Sequence, residues 1–457
     1  MRSHTRLLTV LDRAENGPLL EERDFDQLVA STVRELTRKY DIKYDRQEAI
    51  NLRDDLADRL FQAGLELAAR VGVYCTSTHR RLTFSEAEIR DALRFAPGEL
   101  EIGSGLDRVV IKSRVPEDPH IPANTGGPYG TPLTEELYTY ITQSYIQEPI
   151  IDAVVNGTFA TIHGRPPKTH TPWEVLLAWR EVELSKAAAQ RAGRPGISLG
   201  CVENAVTEIG ELSGTSYGGF TPADWHHVCF TSELKTSYAL LIKVAHLIQT
   251  GCIIHDFCNP IYGGYAGGAE GVAMVAVAGV ILMAVVNMST THSICPTHPF
   301  FESDTAPEIV WAISASQQAL NRNTHLLTTV MTSPVSGPGT ESLLYEAATI
   351  ATTATVSGTA RIDGVRSGAG VCTDHVSGLE ARFNAEISHA VAGMSRDQAN
   401  ELIQEWQQHY VPLLDKKPVG QPFAEVYDLK TLRPKKHWQK IYDEVQERLF
   451  KQGVRFK

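Results

Sequence analysis

Over the first hundred residues, apolar side chains recur at helical spacing. Asp26–Tyr40 and Gln47–Val71 carry them with Asp, Glu, Arg and Lys between, which predicts amphipathic helices. Ser85-Glu86-Ala87-Glu88 has the form of a capping box and predicts a helix through Phe95, stopped by Pro97-Gly98. Residues 114–135 are rich in Pro and Gly and read as loop. Between residues 150 and 370 the periodicity changes, and short apolar or β-branched runs alternate with helical patterns. Strand candidates are Val154–Ile162, Gly196–Leu199, Cys252–Ile254, Val285–Thr291, Leu326–Met331 and Ala360–Val365. Thr171-Pro172-Trp173-Glu174 is a strong helix start, and Thr231–Ile248 and Glu341–Val356 also read as helices. Such alternation predicts a parallel α/β sheet, and pattern alone leaves a closed barrel and a doubly wound sheet both open. Ser395–Glu405 and His437–Phe450 close the chain with helices, and no internal repeat is visible.

The run Gly271–Val286 is uncharged and almost wholly apolar. It falls short of the roughly 20 residues a membrane span requires, so a buried helix is expected. The 457 residues are 42% hydrophobic, enough for a large core, which excludes general disorder. The formal charge of −11 speaks against a nucleic-acid binder. Seven scattered cysteines without a CxxC pair suit a reduced, cytoplasmic protein, and the N-terminus lacks the apolar core of a signal peptide.

Glycine-rich turns follow several strand candidates: Gly263-Gly264-Tyr265-Ala266-Gly267-Gly268, Ser336-Gly337-Pro338-Gly339 and Ser367-Gly368-Ala369-Gly370. Loops after strands are where α/β active sites form. Neither a Walker lysine nor GxGxxG accompanies them, and GxSxG is absent. The turns therefore read either as tight strand-to-helix connections or as a rim admitting a large flat ligand.

With Cys75-Thr76-Ser77-Thr78-His79-Arg80, Gly126-Gly127-Pro128, Val155-Asn156-Gly157, Arg194-Pro195-Gly196, Gly378-Leu379-Glu380-Ala381-Arg382 and Tyr427-Asp428-Leu429-Lys430-Thr431, these turns stand in one order. Together they resemble the monomethylamine:corrinoid-protein methyltransferases, from about residue 30 to the C-terminus. The resemblance implies a (β/α)8 TIM barrel over 111–390, a helical N-terminal extension over 1–110 and a C-terminal helical segment over 391–457. It also implies a homo-oligomer that moves a methyl group from a methylamine to Co(I) of a cobalamin-like corrinoid. That corrinoid is carried by a separate protein, and no permanently bound cofactor is expected. The rim that would face it is Gly263, Gly264, Gly267, Gly268 and Gly337.

Family members that use monomethylamine carry pyrrolysine where this chain has Gly200, and His227, Phe257 and Met331 stand at positions of the family's pyrrolysine pocket. A glycine supplies no electrophile, so the donor must already be activated or another group must activate it. A quaternary ammonium is activated by its own charge and asks for aromatic and apolar contacts. Phe257, Met331, Tyr262 and Tyr265 are candidates for these, and loss of a large residue at 200 is expected to leave room for a bulkier donor. The expected catalytic set is Glu203, His227 and His255, and the substrate-binding set is Gly200, Phe257, Met331, Asn156 and His292. His163, Asp256 and Glu270 are further polar candidates. One alternative is zinc, acting on a hydroxyl or thiol donor through His226-His227, His255 with Cys258, or His292 with Cys295 and His298, although no standard metal spacing is matched. The other is a methylated-ligand binding protein without turnover.

Overall fold

The protein is described by a computed structural model covering residues 2–201, 207–231 and 233–456. Eight parallel strands close into a barrel. They are β1 (Ala123–Gly126), β2 (Ala153–Val155), β3 (Ser198–Cys201), β4 (Trp225–Cys229), β5 (Ile253–Cys258), β6 (Thr291–Ile294), β7 (Leu327–Thr332) and β8 (Arg361–Gly364). Each strand pairs with the next in the chain, and β8 closes on β1 through Arg361↔Ala123. The sheet is therefore a closed (β/α)8 barrel and not the doubly wound alternative.

Helices α1 (Arg2–Asn16), α2 (Glu22–Lys39), α3 (Asp54–Val71) and α4 (Glu86–Arg94) precede the barrel. The outer ring is α5 (Glu135–Ile146), α6 (Pro172–Arg191), α7 (Glu208–Gly214), α8 (Tyr238–Thr250), α9 (Ala269–Val286), α10 (Pro307–Asn323), α11 (Glu341–Val356) and α12 (Gly378–Ala390). Helices α13 (Arg396–Tyr410) and α14 (Lys436–Lys451) then pack on α11. The Ser85 capping box forms as expected, and Thr171 caps α6 with Pro172 at its first position.

The long apolar run becomes α9, which is long and apolar enough to cross a membrane. It is instead almost entirely buried, under α2, α3, α4 and α10 on one side and β5 and β6 on the other. Burying each Val, Ile or Leu on such a helix contributes about 1.5–3 kcal/mol. This helix runs through Val286, so the expected strand Val285–Thr291 is displaced to Thr291–Ile294. Val285 and Val286 complete a hydrophobic helix, and β-branching alone did not make them strand. The expected helix Thr231–Ile248 likewise begins late. Lys235–Thr236 pairs with Tyr74–Cys75 first, and Ser237 then caps α8.

Two barrel strands were missed. β1 lies inside the Pro- and Gly-rich stretch read as loop, and β4 has the unpromising sequence Trp-His-His-Val-Cys. Polar residues stand on both sides of the wall: His227 faces the barrel interior, whereas Asn124 accepts from Ser388 of α12 and His226 lies against Glu211 of α7. The N-terminal end of the barrel is plugged by the antiparallel hairpin Glu99–Ile102/Val109–Lys112. Its Ile102 and Ile111 pack with Ala153, Trp225, Ile253 and Leu327. Gly103 and Ser104 donate from the hairpin to the carbonyls of Ala223 and Gly196, just before β4 and β3. One end of the barrel is thus sealed, and ligand access is confined to the C-terminal face.

The extension is fastened to the barrel side by a buried ion pair. Lys235 Nζ lies 2.8 Å from both Asp26 and Glu22 of α2. Replacing Lys235 by Met leaves Asp26, only 7% exposed, without its cation. The expected cost is about 3 kcal/mol, read as a lowered melting temperature, with Lys235→Arg losing much less.

Candidate active site

Side chains alternate along each strand, so every second residue enters the barrel. On β5, Ile253, His255 and Phe257 point inward, while Ile254, Asp256 and Cys258 face the helices. The inward residues of the upper strand halves enclose a cavity of about 400 Å³ beneath the C-terminal face. His227 and Cys229 line it from β4, His255 and Phe257 from β5, and Met331 from β7. Asp363, Arg366, Ala369 and Val371 line it from β8 and the loop beyond, with Tyr129 following β1. Val371 is 57% exposed and Phe300 79% exposed at this face, so the mouth presents apolar surface to solvent.

The floor is polar and tightly linked. Arg361 of β8 is fully buried, and its Nε and Nη2 donate to Asp363 at 2.7 and 3.2 Å. Its guanidinium lies 3.4 Å from the centre of the Trp225 ring, and the same indole stacks on His255 at 5.3 Å. Nδ1 of His255 is 2.7 Å from Thr291 Oγ1 and 3.3 Å from Arg361 Nη2. The His227 and His255 rings are 5.0 Å apart. Burial, reinforced by the Arg361 charge, holds the His255 imidazole well below the usual histidine range. Burial also raises the Cys295 thiol, and raises the Tyr129 phenol with help from Asp363.

Of the expected residues, His227, His255, Phe257 and Met331 meet around this cavity. Glu203 lies outside the described residues. Asn156 faces the other way, where its Nδ2 donates to Glu181 of α6 at 2.9 Å. His292 is likewise outward, with Nδ1 3.1 Å from Asp256, whose other partner is Ser289. Strand alternation explains both corrections, because each neighbours an inward residue and must therefore point out. It also divides the zinc candidates: His227, His255 and Cys295 line the cavity, whereas Cys258 and His292 face the helices. His226 turns outward to Glu211 at 2.7 Å. Among the described residues no group of three potential metal ligands converges.

Gly200 does not line the cavity. A Cβ built on it would lie 1.8 Å from Trp225 Nε1 and 2.6 Å from Val155 Cγ2. The room expected beside this glycine is therefore filled by the indole. Gly263, Gly264 and Gly268 are exposed on the β5–α9 loop and Gly267 is half-buried, at the same end as the cavity mouth but outside its lining. Gly337 is not on an open rim. Its N–H donates to the Pro418 carbonyl at 2.9 Å, and a Cβ there would lie 1.8 Å from the Val419 oxygen. Tyr262 stacks on His298 and Tyr265 is 46% exposed, both outside the cavity lining. His163 is exposed, and Glu270 accepts from the Tyr44 N–H at 3.1 Å.

Sequence reasoning missed Tyr129, Trp225, Arg361, Asp363 and Arg366. A signal existed for one pair: Arg361-Ile362-Asp363 puts charges at alternate positions inside a strand candidate, which marks an inward polar face.

The family described as monomethylamine methyltransferase MtmB matches residues 6–454. Monomethylamine methyltransferase MtmB2 of Methanosarcina acetivorans is 34% identical over 446 residues, covering 97% of each chain. MtmB of Methanosarcina mazei is 33% identical over 450 residues, again 97% of each chain. Among solved structures, a complex of MtmB with hydroxylamine superposes with a TM-score of 0.96 at 32% identity, over 98% of each chain. The Methanosarcina barkeri MtmB structure does so with a TM-score of 0.95 and the same identity and coverage.

Two outcomes follow from the packing. Gly200→Ala forces the indole aside and is expected to lower stability by about 1–3 kcal/mol. In a Trp225→Leu background, where the indole is already gone, the added cost of Gly200→Ala in thermal melts should be much smaller. Glu380 of α12 holds the cavity-lining loop by accepting from Ser367 and Ser377. Burial pushes its carboxyl from 4.5 up to about 7. The unfolded chain releases this proton first, so stability falls as pH rises from about 4.5 to about 7 and the contribution is absent above that. Glu380→Gln should flatten this part of the melting-temperature profile.

Proposed function

The chain belongs to the monomethylamine methyltransferase MtmB family and is a methyltransferase, and we propose that it transfers a methyl group from a small methylated amine or quaternary ammonium donor to Co(I) of a corrinoid on a separate protein, without pyrrolysine. The observation that carries this reading is the filled space at position 200. Trp225 stands where a side chain on Gly200 would have to begin, so no reactive group from that position reaches the cavity. Activation then falls to the donor itself. A quaternary nitrogen leaves as a neutral amine, and the C–N electron pair is already drawn toward positive charge. Phe257 and Met331 supply aromatic and polarizable contacts suited to such a cation.

Catalysis in this reading is mainly positioning, with the methyl carbon held in line between its nitrogen and cobalt. The corrinoid is the second substrate and approaches through the open C-terminal face, past the glycines at 263, 264, 267 and 268. The hairpin plug closes the opposite end. The exposed Phe300 and Val371 give the carrier protein an apolar landing surface.

The direct test mixes the protein with a reduced corrinoid protein and a donor panel, and follows loss of Co(I) absorbance. Donor-dependent conversion to methyl-cobalt is expected with at least one amine or quaternary ammonium compound. No change across quaternary amines, methylamines, methanol and methanethiol overturns the proposal. A ligand that raises the melting temperature without methylating cobalt would instead make this a binding protein. Phe257→Leu should raise the donor KM by roughly tenfold with little change in melting temperature.

A further inference from the structure

The polar atoms around His255 carry more information than its place on the floor. Arg361 Nη2 lies 3.3 Å from His255 Nδ1. A guanidinium only donates, so Nδ1 must be the bare, accepting nitrogen. The Thr291 hydroxyl, 2.7 Å from the same atom, then donates to it as well. The imidazole proton is left on Nε2, the remaining polar atom of a ring that lines the cavity. The arrangement is rigid, because Arg361 is gripped by both oxygens of Asp363 and packed against the face of Trp225.

We propose that Arg361 locks His255 as the Nε2-protonated neutral ring, and that this N–H selects a methyl donor carrying an oxygen acceptor in addition to its methylated nitrogen. The selection rests on the methyl-transfer reading above, whereas the tautomer stands on its own geometry. Arg361 is the positioning residue, and His255 is the group that touches the donor.

The remaining charges of the cavity agree. Of its carboxylates, Asp363 is committed to Arg361, and Glu302 stands half-exposed beside Lys417 at 3.4 Å. Arg366, a second donor-only group on the wall, gives hydrogen bonds to the Tyr129 carbonyl at 3.2 Å and the Ser333 hydroxyl at 3.3 Å. A ligand in this space meets N–H donors and aromatic faces together with the polar side chains of Asn259, Ser293, Thr297 and Ser333, and an oxygen acceptor complements the N–H donors. A cavity of about 400 Å³ is also far larger than methylammonium requires. The groups that face His255 are Arg361 and Asp363 from β8, His227 and Trp225 from β4, and Thr291 from β6, with His292 behind that strand. Burial and the fixed Arg361 charge oppose protonation and outweigh the Thr291 backbone contact that favours it, so the ring remains a neutral donor across neutral pH.

Three probes that share a quaternary nitrogen test the selection by calorimetric binding: tetramethylammonium, choline and the zwitterion glycine betaine. The two oxygen-bearing probes should bind about tenfold more tightly than tetramethylammonium. The gap should close in His255→Leu and largely survive in His255→Gln, whose amide retains an N–H. Choline and glycine betaine separate a hydroxyl from a carboxylate as the preferred acceptor. Equal binding of all three, or a gap that persists in the Leu variant, overturns the selection. Nitrogen-15 histidine spectra of the unsubstituted protein test the lock without any variant. His255 should show the Nε2–H pattern and no titration between about pH 6 and about 8. An Nδ1–H pattern, or titration in that window, overturns it. If the binding gap is found and no compound of the full donor panel methylates Co(I), the methyl-transfer reading fails and the selectivity stands.

Discussion

A guanidinium with no solvent exposure sits inside the barrel, and the interior is arranged around it. Burying an unpaired ion costs several kcal/mol, so Arg361 depends on surroundings that answer its charge and the donors on Nε and Nη2. Asp363, two residues along the same strand, takes two of its hydrogen bonds. Trp225 offers it the face of an indole. Its Nη2 also reaches His255, which must present a bare nitrogen, while Nη1 finds no hydrogen-bond partner among the described residues. The cation thereby dictates the state of the one imidazole that stacks on the same indole. Remove the charge and an acid, a ring and a tautomer lose their reason to be where they are.

That cluster also explains why position 200 cannot be altered alone. Gly200 and Trp225 are register partners on adjacent strands, and the indole of one lies in the side-chain space of the other. Any larger residue at 200 displaces Trp225, and with it the contacts to Arg361 and His255. The absence of a side chain at 200 is therefore part of a packed arrangement that places the indole beneath the cavity. Position 200 and the cavity floor are thereby coupled, because the indole that fills the space beside Gly200 also packs against Arg361 and His255.

Above the floor, access and chemistry are separated by direction. The hairpin seals the N-terminal end with Ile102 and Ile111, while the glycine-rich β5–α9 loop and the exposed Phe300 and Val371 stand at the open end. The buried carboxylates Asp304 and Glu346 brace that open end from behind. Asp304 accepts from the Ser333 N–H, and Glu346 from the N–H groups of Val335 and Ser336. Burial raises both acids toward the protonated state. Loops at the mouth are thus held by carboxylates set into the scaffold, which keeps the lining residues in place without closing the entrance.

Local pattern in the chain was sufficient for the strand–helix alternation, the buried character of α9, the caps at Ser85 and Thr171 and the glycine-rich turns at the mouth. Each depends on neighbours within a few residues, and so it is written where it is read. The same pattern did not reveal β1 or β4, whose polar residues find partners only in the assembled barrel, Asn124 with Ser388 and His226 with Glu211. Nor could it separate His255 from His292, or Met331 from Asn156. A strand has a period of two, so a shift of one residue exchanges the cavity for the helix layer, and only barrel closure sets that phase. Arg361 and His255 are 106 residues apart in the chain and 3.3 Å apart in the fold. No local sequence signal spans such a distance, so tertiary structure alone decided which side chains form the site.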